Sequence, residues 1–169
     1  MCFGVRDAIN FAQSKVAEHP ITVMGELVHN NTVLNDLKKR GVRFKDKPEQ
    51  VETKSAMITA HGASNLTRNR AKAAGLQISD ATCPLVHYAH KQIRELTAIG
   101  YHPIIIGRLG HVEVRGLTED LTECDVVMSE EGIDALKSRP RFGVVAQTTQ
   151  PIAHVRSMVK HLKSGFPNS

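Results

Sequence analysis

Short apolar or β-branched runs alternate along this chain with amphipathic stretches of helical period, and the alternation continues nearly from end to end. Strands separated by a helix pair in parallel, because the crossover returns the chain to the edge it left. The pattern therefore dictates an α/β fold with mostly parallel sheets flanked by helices. Strands are expected at residues 21–25, 56–60, 76–79, 103–107, 126–128 and 142–146. Helices are expected at 5–17, 32–40, 66–74, 85–99, 112–120, 131–137 and 152–163. Gly41, Gly75 and Gly100 each follow a helical stretch, where a left-handed residue ends the helix. Pro84 and Pro151 stand where helices should begin, since the first helical residue has no N–H bond to lose.

Strand, polar loop and helix recur through residues 1–82 and again through 83–169, giving two similar α/β lobes divided near Thr82-Cys83-Pro84. With 41% hydrophobic residues in a chain of 169, each lobe has apolar material for its own core. The longest clean apolar stretch, Ile104-Ile105-Ile106, falls far short of the roughly 20 residues of a membrane-spanning helix. Arg6 and Asp7 put charge where a secretory leader would need its apolar segment. A cytoplasmic protein with no membrane partner is expected. The net charge of +5 suits an anionic partner. Nucleic acid is disfavoured, because the chain has no Trp and two Tyr for base stacking and its Lys and Arg are scattered.

In a parallel sheet the loops leaving the carboxyl ends of the strands emerge on one side, where α/β proteins bind ligands. The expected strand ends run into Glu26-Leu27-Val28-His29, His61-Gly62, Asp80-Ala81-Thr82-Cys83, His111-Val112-Glu113 and Gln147-Thr148-Thr149. His29, His61 and His111 stand at equivalent places in separate βα units. Imidazoles beside helix N-terminal amides direct N–H donors at anionic oxygen, so a shared anion site is expected. Cys83 precedes Pro84 at a helix start, where the helix dipole favours an anionic sulfur. Cys2 also precedes a helix, with Gly4 permitting close backbone approach. Cys124 lies between Glu123 and Asp125 and reads as structural. Glu113 is either a solvated first-turn glutamate or a proton donor beside His111, and Thr148 and Thr149 either cap the last helix or face a site. The residues by themselves leave two further readings open. One is a zinc hydrolase, although no compact His-Glu-x-x-His occurs; the other is a noncatalytic phosphate- or nucleic-acid-binding module.

Taken in order, the segments Met1-Cys2-Phe3-Gly4-Val5-Arg6-Asp7-Ala8-Ile9, Gly25-Glu26-Leu27-Val28-His29-Asn30, Ala60-His61-Gly62, Asp80-Ala81-Thr82-Cys83-Pro84-Leu85-Val86, Gly110-His111-Val112-Glu113-Val114-Arg115-Gly116 and Gln147-Thr148-Thr149 span the chain. Together they resemble the 4-hydroxy-3-methylbut-2-enyl diphosphate reductase family, iron–sulfur enzymes of the non-mevalonate isoprenoid pathway. The resemblance implies a three-lobed trefoil around a 4Fe-4S cluster, each lobe giving one cysteine. On that reading Cys2 and Cys83 are cluster ligands, His29, His61 and His111 bind the substrate diphosphate, Glu113 delivers a proton, and Thr148 assists it by hydrogen bonding. It further implies reductive dehydroxylation of an allylic diphosphate to isopentenyl and dimethylallyl diphosphate, with electrons from a ferredoxin or flavodoxin.

The chain also departs from that pattern. No third cysteine follows Gln147-Thr148-Thr149, no third lobe accommodates one, and the serine- and asparagine-containing loop of that lobe is missing. The strand that leads into the first cysteine is absent as well. The expectation is a fragment covering the first two of three lobes, with Met1 an internal methionine, that binds the cluster weakly or not at all, lacks activity by itself and tends to aggregate.

Overall fold

The computed structural model describes residues 3–28 and 30–167. The chain divides into two compact units, Met1–Pro84 and Leu85–Ser169. Among the described residues each unit carries one wholly parallel sheet, of order β2-β1-β3-β4 in the first and β6-β5-β7 in the second.

The first unit runs α1 (Phe3–Glu18), β1 (Ile21–Met24), α2 (Asn31–Lys39), β2 (Arg43–Lys45), a 3-10 turn (Pro48–Gln50), β3 (Ser55–Ile58), α3 (Asn65–Ala73) and β4 (Gln77–Asp80), and ends as α4 (Pro84–Ala98) begins. Every residue of β1 and β3 is buried, as a parallel strand covered on both faces requires. Alternation along β1 divides the core: Ile21 and Val23 join Ala8, Ile9 and Ala12 of α1, while Met24 packs with Ala56, Ile58 and Ala71. Thr22 is buried on that second side, and its hydroxyl is satisfied by Thr53 at 2.8 Å. Asn30 caps α2 by accepting from the Thr32 and Val33 amides, and Ser64 caps α3 by accepting from Thr67.

The second unit takes in the rest of α4, then β5 (His102–Ile106), α5 (Val112–Thr118), β6 (Asp125–Val127), α6 (Glu130–Asp134), β7 (Phe142–Ala146) and α7 (Ile152–Gly165). The central strand divides its side chains between two cores. Ile105 packs with Ala89, Ile93, Val114, Leu117 and Val145, and Ile104 and Ile106 pack with Val127, Ile133, Met158 and Leu162. Cys124 is half-buried against the first of these cores, and burial, aided by the Asp125 charge, pushes its thiol up. That environment agrees with a structural cysteine.

All of the expected strands form, with ends shifted by up to two residues, and 142–146 is unchanged. β2 was not expected: Arg43-Phe44-Lys45 holds one apolar residue and shows no period, and its pairing with β1 comes from the sheet rather than from local pattern. The stretch 131–137 is helical only to Asp134, and 112–120 only to Thr118. Pro151 precedes α7 as its cap residue instead of opening the helix, whereas Pro84 does open α4. Gly41, Gly75 and Gly100 all adopt positive φ. No helix among the described residues is long and apolar enough to cross a membrane.

Candidate functional site

At the carboxyl edge of the second sheet, the loop after β5 approaches the loop after β7. His111 caps α5: its Nδ1 accepts the Glu113 N–H at 3.2 Å, which places the ring proton on Nε2 while that bond is made. Glu113 is 1% exposed in the first turn of α5. Its carboxylate accepts two bonds from one residue across the edge, the Thr148 N–H at 2.7 Å and the Thr148 hydroxyl at 3.1 Å. Burial pushes the Glu113 carboxyl up, opposed by those two bonds, and burial prevails. On protonation the amide bond stays on one oxygen and the hydroxyl bond reverses on the other. The pair can therefore take up or release a proton without stranding a buried polar group.

Gln147 holds the two loops together. It is 5% exposed, its amide oxygen accepts the Arg108 N–H at 3.1 Å, and its amide nitrogen donates to the Thr149 hydroxyl at 2.9 Å. Thr148 and Thr149 thus bond to Glu113 and Gln147, and α7 begins without a side-chain cap.

At the carboxyl edge of the first sheet, the loop after β3 carries His61 and the loop after β4 carries Cys83. The Cys83 N–H donates to Ala60 O at 3.0 Å, which ties the two loops beside His61. Asp80 folds its own loop by accepting from the Thr82 N–H at 3.0 Å and from the Thr82 hydroxyl. Arg68 of α3 completes the arrangement, donating to Asp80 at 2.6 Å and to Thr82 at 3.3 Å. Burial pushes the Asp80 carboxyl up, but the hydrogen bonds from Arg68 and Thr82, with the Arg68 charge, outweigh it and hold the group below its ordinary range. Arg68 and Gln147 were not among the expected site residues. Arg68 is an ordinary basic residue of a helical stretch in the sequence, and only its reach to the next strand end distinguishes it.

Gly4 meets Cys83 closely: a Cβ on Gly4 would lie 2.9 Å from the Cys83 Cβ and 3.0 Å from its sulfur. Gly4→Ala is expected to cost about 1–3 kcal/mol of stability, read from urea unfolding, because the start of α1 or Cys83 must move. Cys2 and His29 lie outside the described residues.

The structure thus gathers His111, Glu113 and Thr148 at one sheet edge, and His61 and Cys83 on adjoining loops of the other. Among the described residues no group of three or more His, Cys, Asp or Glu side chains converges to hold a metal ion. Cys83 is a partly buried thiol on a well-bonded loop and suits a single ligand. The described residues do not supply the full thiolate set of an iron–sulfur cluster.

A family model described as LytB protein matches residues 1–169. The chain is 36% identical over 172 residues to 4-hydroxy-3-methylbut-2-enyl diphosphate reductase 2 of Burkholderia mallei, covering 98% of this chain and 53% of the relative. To the reductase of Neorickettsia sennetsu it is 34% identical over 173 residues, covering 99% of this chain and 57% of the relative. Among solved structures, the E-1-hydroxy-2-methyl-but-2-enyl-4-diphosphate reductase from Plasmodium falciparum superposes with a TM-score of 0.89 at 32% identity. That match covers 99% of this chain and 55% of the other. The chain spans about half the length of the curated relatives it matches.

Proposed function

The chain belongs to the LytB protein family, and from that premise we propose that it forms the first two lobes of a longer, cytoplasmic 4-hydroxy-3-methylbut-2-enyl diphosphate reductase. The longer protein removes the substrate hydroxyl reductively, giving isopentenyl and dimethylallyl diphosphate, with electrons from a ferredoxin or flavodoxin. The observation that carries the reading is the buried Glu113 held by both Thr148 donors. Hydroxide is a poor leaving group, and a carboxyl whose proton burial holds more tightly than an exposed one would can give it that proton so that it departs as water.

His111, with its ring proton on Nε2, is assigned to diphosphate binding, as are His61 and His29. Thr148 holds the Glu113 carboxyl in one orientation and restores its bond after each proton transfer. Cys83 and Cys2 are assigned as two ligands of a 4Fe-4S cluster, whose third ligand belongs to the half of the relatives' length that this chain does not match.

The full-length protein, incubated anaerobically with the allylic diphosphate and reduced viologen, is expected to form both isoprenoid diphosphates. Absence of either product from protein with a full cluster would overturn the reading. Anaerobic reconstitution of the 169-residue chain by itself is expected to leave iron and sulfide well below four per chain. A stable, stoichiometric 4Fe-4S cluster in the monomer would show that the described lobes need no third ligand.

A further inference from the structure

The Arg68 side chain is 22% exposed and uses each of its nitrogens on a different acceptor: Nη1 on Asp80 at 2.6 Å, Nη2 on the Thr82 hydroxyl at 3.3 Å and Nε on Ala63 O at 3.3 Å. Asp80 ends β4 and Thr82 lies in the loop from it to Cys83, while Ala63 lies in the loop that carries His61. Between Asp80 and Cys83 every backbone N–H that follows the strand is bonded: Ala81 to Ile58 O, Thr82 to the Asp80 carboxylate and Cys83 to Ala60 O. Gly4 presses on Cys83 from α1. The Arg68 fork joins these pieces through side chains, spanning from α3 to the Asp80–Thr82 turn.

We propose that Arg68 is the positioning residue for the Cys83 thiol, fixing the loop that presents the sulfur through simultaneous bonds to Asp80, Thr82 and Ala63. The inference rests on the reading of Cys83 as a cluster ligand and adds to it the part of the protein that places the ligand. A planar guanidinium reaches three acceptors in fixed directions, whereas the ammonium of a lysine offers the same charge from one nitrogen. The fork therefore makes a different prediction from the charge: lysine does not replace Arg68.

The test uses the 169-residue chain with Cys2 and Cys124 replaced by Ser, so that Cys83 is the one thiol. Amide hydrogen exchange at Cys83 and alkylation of its sulfur by iodoacetamide are followed under native conditions. R68K and R68M are each expected to raise both rates by about tenfold or more, since each loses more than one hydrogen bond of a charged group, with exchange across β1 unchanged. Wild-type rates at Cys83 in R68K would overturn the proposal, and so would an equal rise in β1, which would mark a general loss of stability. In the full-length protein reconstituted anaerobically, R68K is expected to take up less iron per chain than wild type. The parent reading is tested separately by C83S. Undiminished iron in full-length C83S overturns the ligand assignment and with it the role given to Arg68, while wild-type exchange in R68K overturns the role of Arg68 alone.

Discussion

Glu113→Gln in the full-length protein is expected, on the proposed role of Glu113, to lower turnover by about 10²–10⁴-fold, the range for loss of a positioned general acid, with the fold intact. The amide keeps an oxygen for the Thr148 N–H and gains an NH₂ that can donate to the Thr148 hydroxyl, so neither buried contact is lost. Circular dichroism and urea unfolding check the fold, and anaerobic assays with reduced viologen check the rate. A variant within threefold of wild type would remove Glu113 from the reaction. The same substitution carries a signed pH dependence. Burial raises the native pKa of Glu113 above its ordinary value of 4.5, so the folded state binds the proton more tightly than the unfolded chain does. The contribution of Glu113 to stability is fully present below the unfolded value and is lost as pH rises through the raised native one. The glutamine variant should therefore gain on wild type across that window and hold a constant difference above it, as urea titrations at several pH values would show.

Gly107→Ala is expected to act on the same pair from behind. A Cβ at this position would sit 2.8 Å from Val114 Cγ2 and 3.0 Å from the Gln147 Cβ, closer than packed atoms tolerate. Val114 follows Glu113 in α5, and Gln147 precedes Thr148, so the added methyl displaces both halves of the proton-holding pair. Overpacking of this kind costs about 1–3 kcal/mol, and a shift on the order of 1 Å at the reacting groups can reduce turnover about 100-fold. The diagnostic is the division between the two effects. The rate should fall further than the fraction of folded protein accounts for, and the response of the Thr148 amide resonance to the titration of Glu113 should be weaker than in the wild type. An unchanged resonance beside a normal rate would show that the loops absorb the methyl elsewhere.

The polar strand ends were legible in the sequence because residue pattern and topology coincide there. A parallel sheet sends its carboxyl-end loops to one side, and the polar residues after each apolar run mark those loops in the sequence. Thr148 is instructive. As a residue just before a helix it reads equally well as a cap, and what distinguishes the two roles is a carboxylate that lies 35 residues away in the chain. Two other histidines show the opposite effect. Of the nine histidines, His102 bonds to Asp125 and His161 to Asp134, both at 2.7 Å, as ties between neighbouring elements of the second unit. They share residue type with His111, and their positions in the fold separate them.

By itself, the sequence determined the α/β class, the parallel connection of the strands, the family, and the loops that hold reactive groups. Each of these follows from local periodicity, from the handed economy of βα crossovers, or from short motifs read along the chain. Tertiary structure alone decided that β2 pairs with β1, that Gln147 bonds to the Arg108 N–H, that Gly107 lies against Val114 and Gln147, and that Arg68 reaches from one helix to the next strand's end. These depend on distances between residues far apart in sequence, and a side chain's burial, hydrogen bonds and protonation are fixed by whichever neighbours the fold brings within a few ångströms of it.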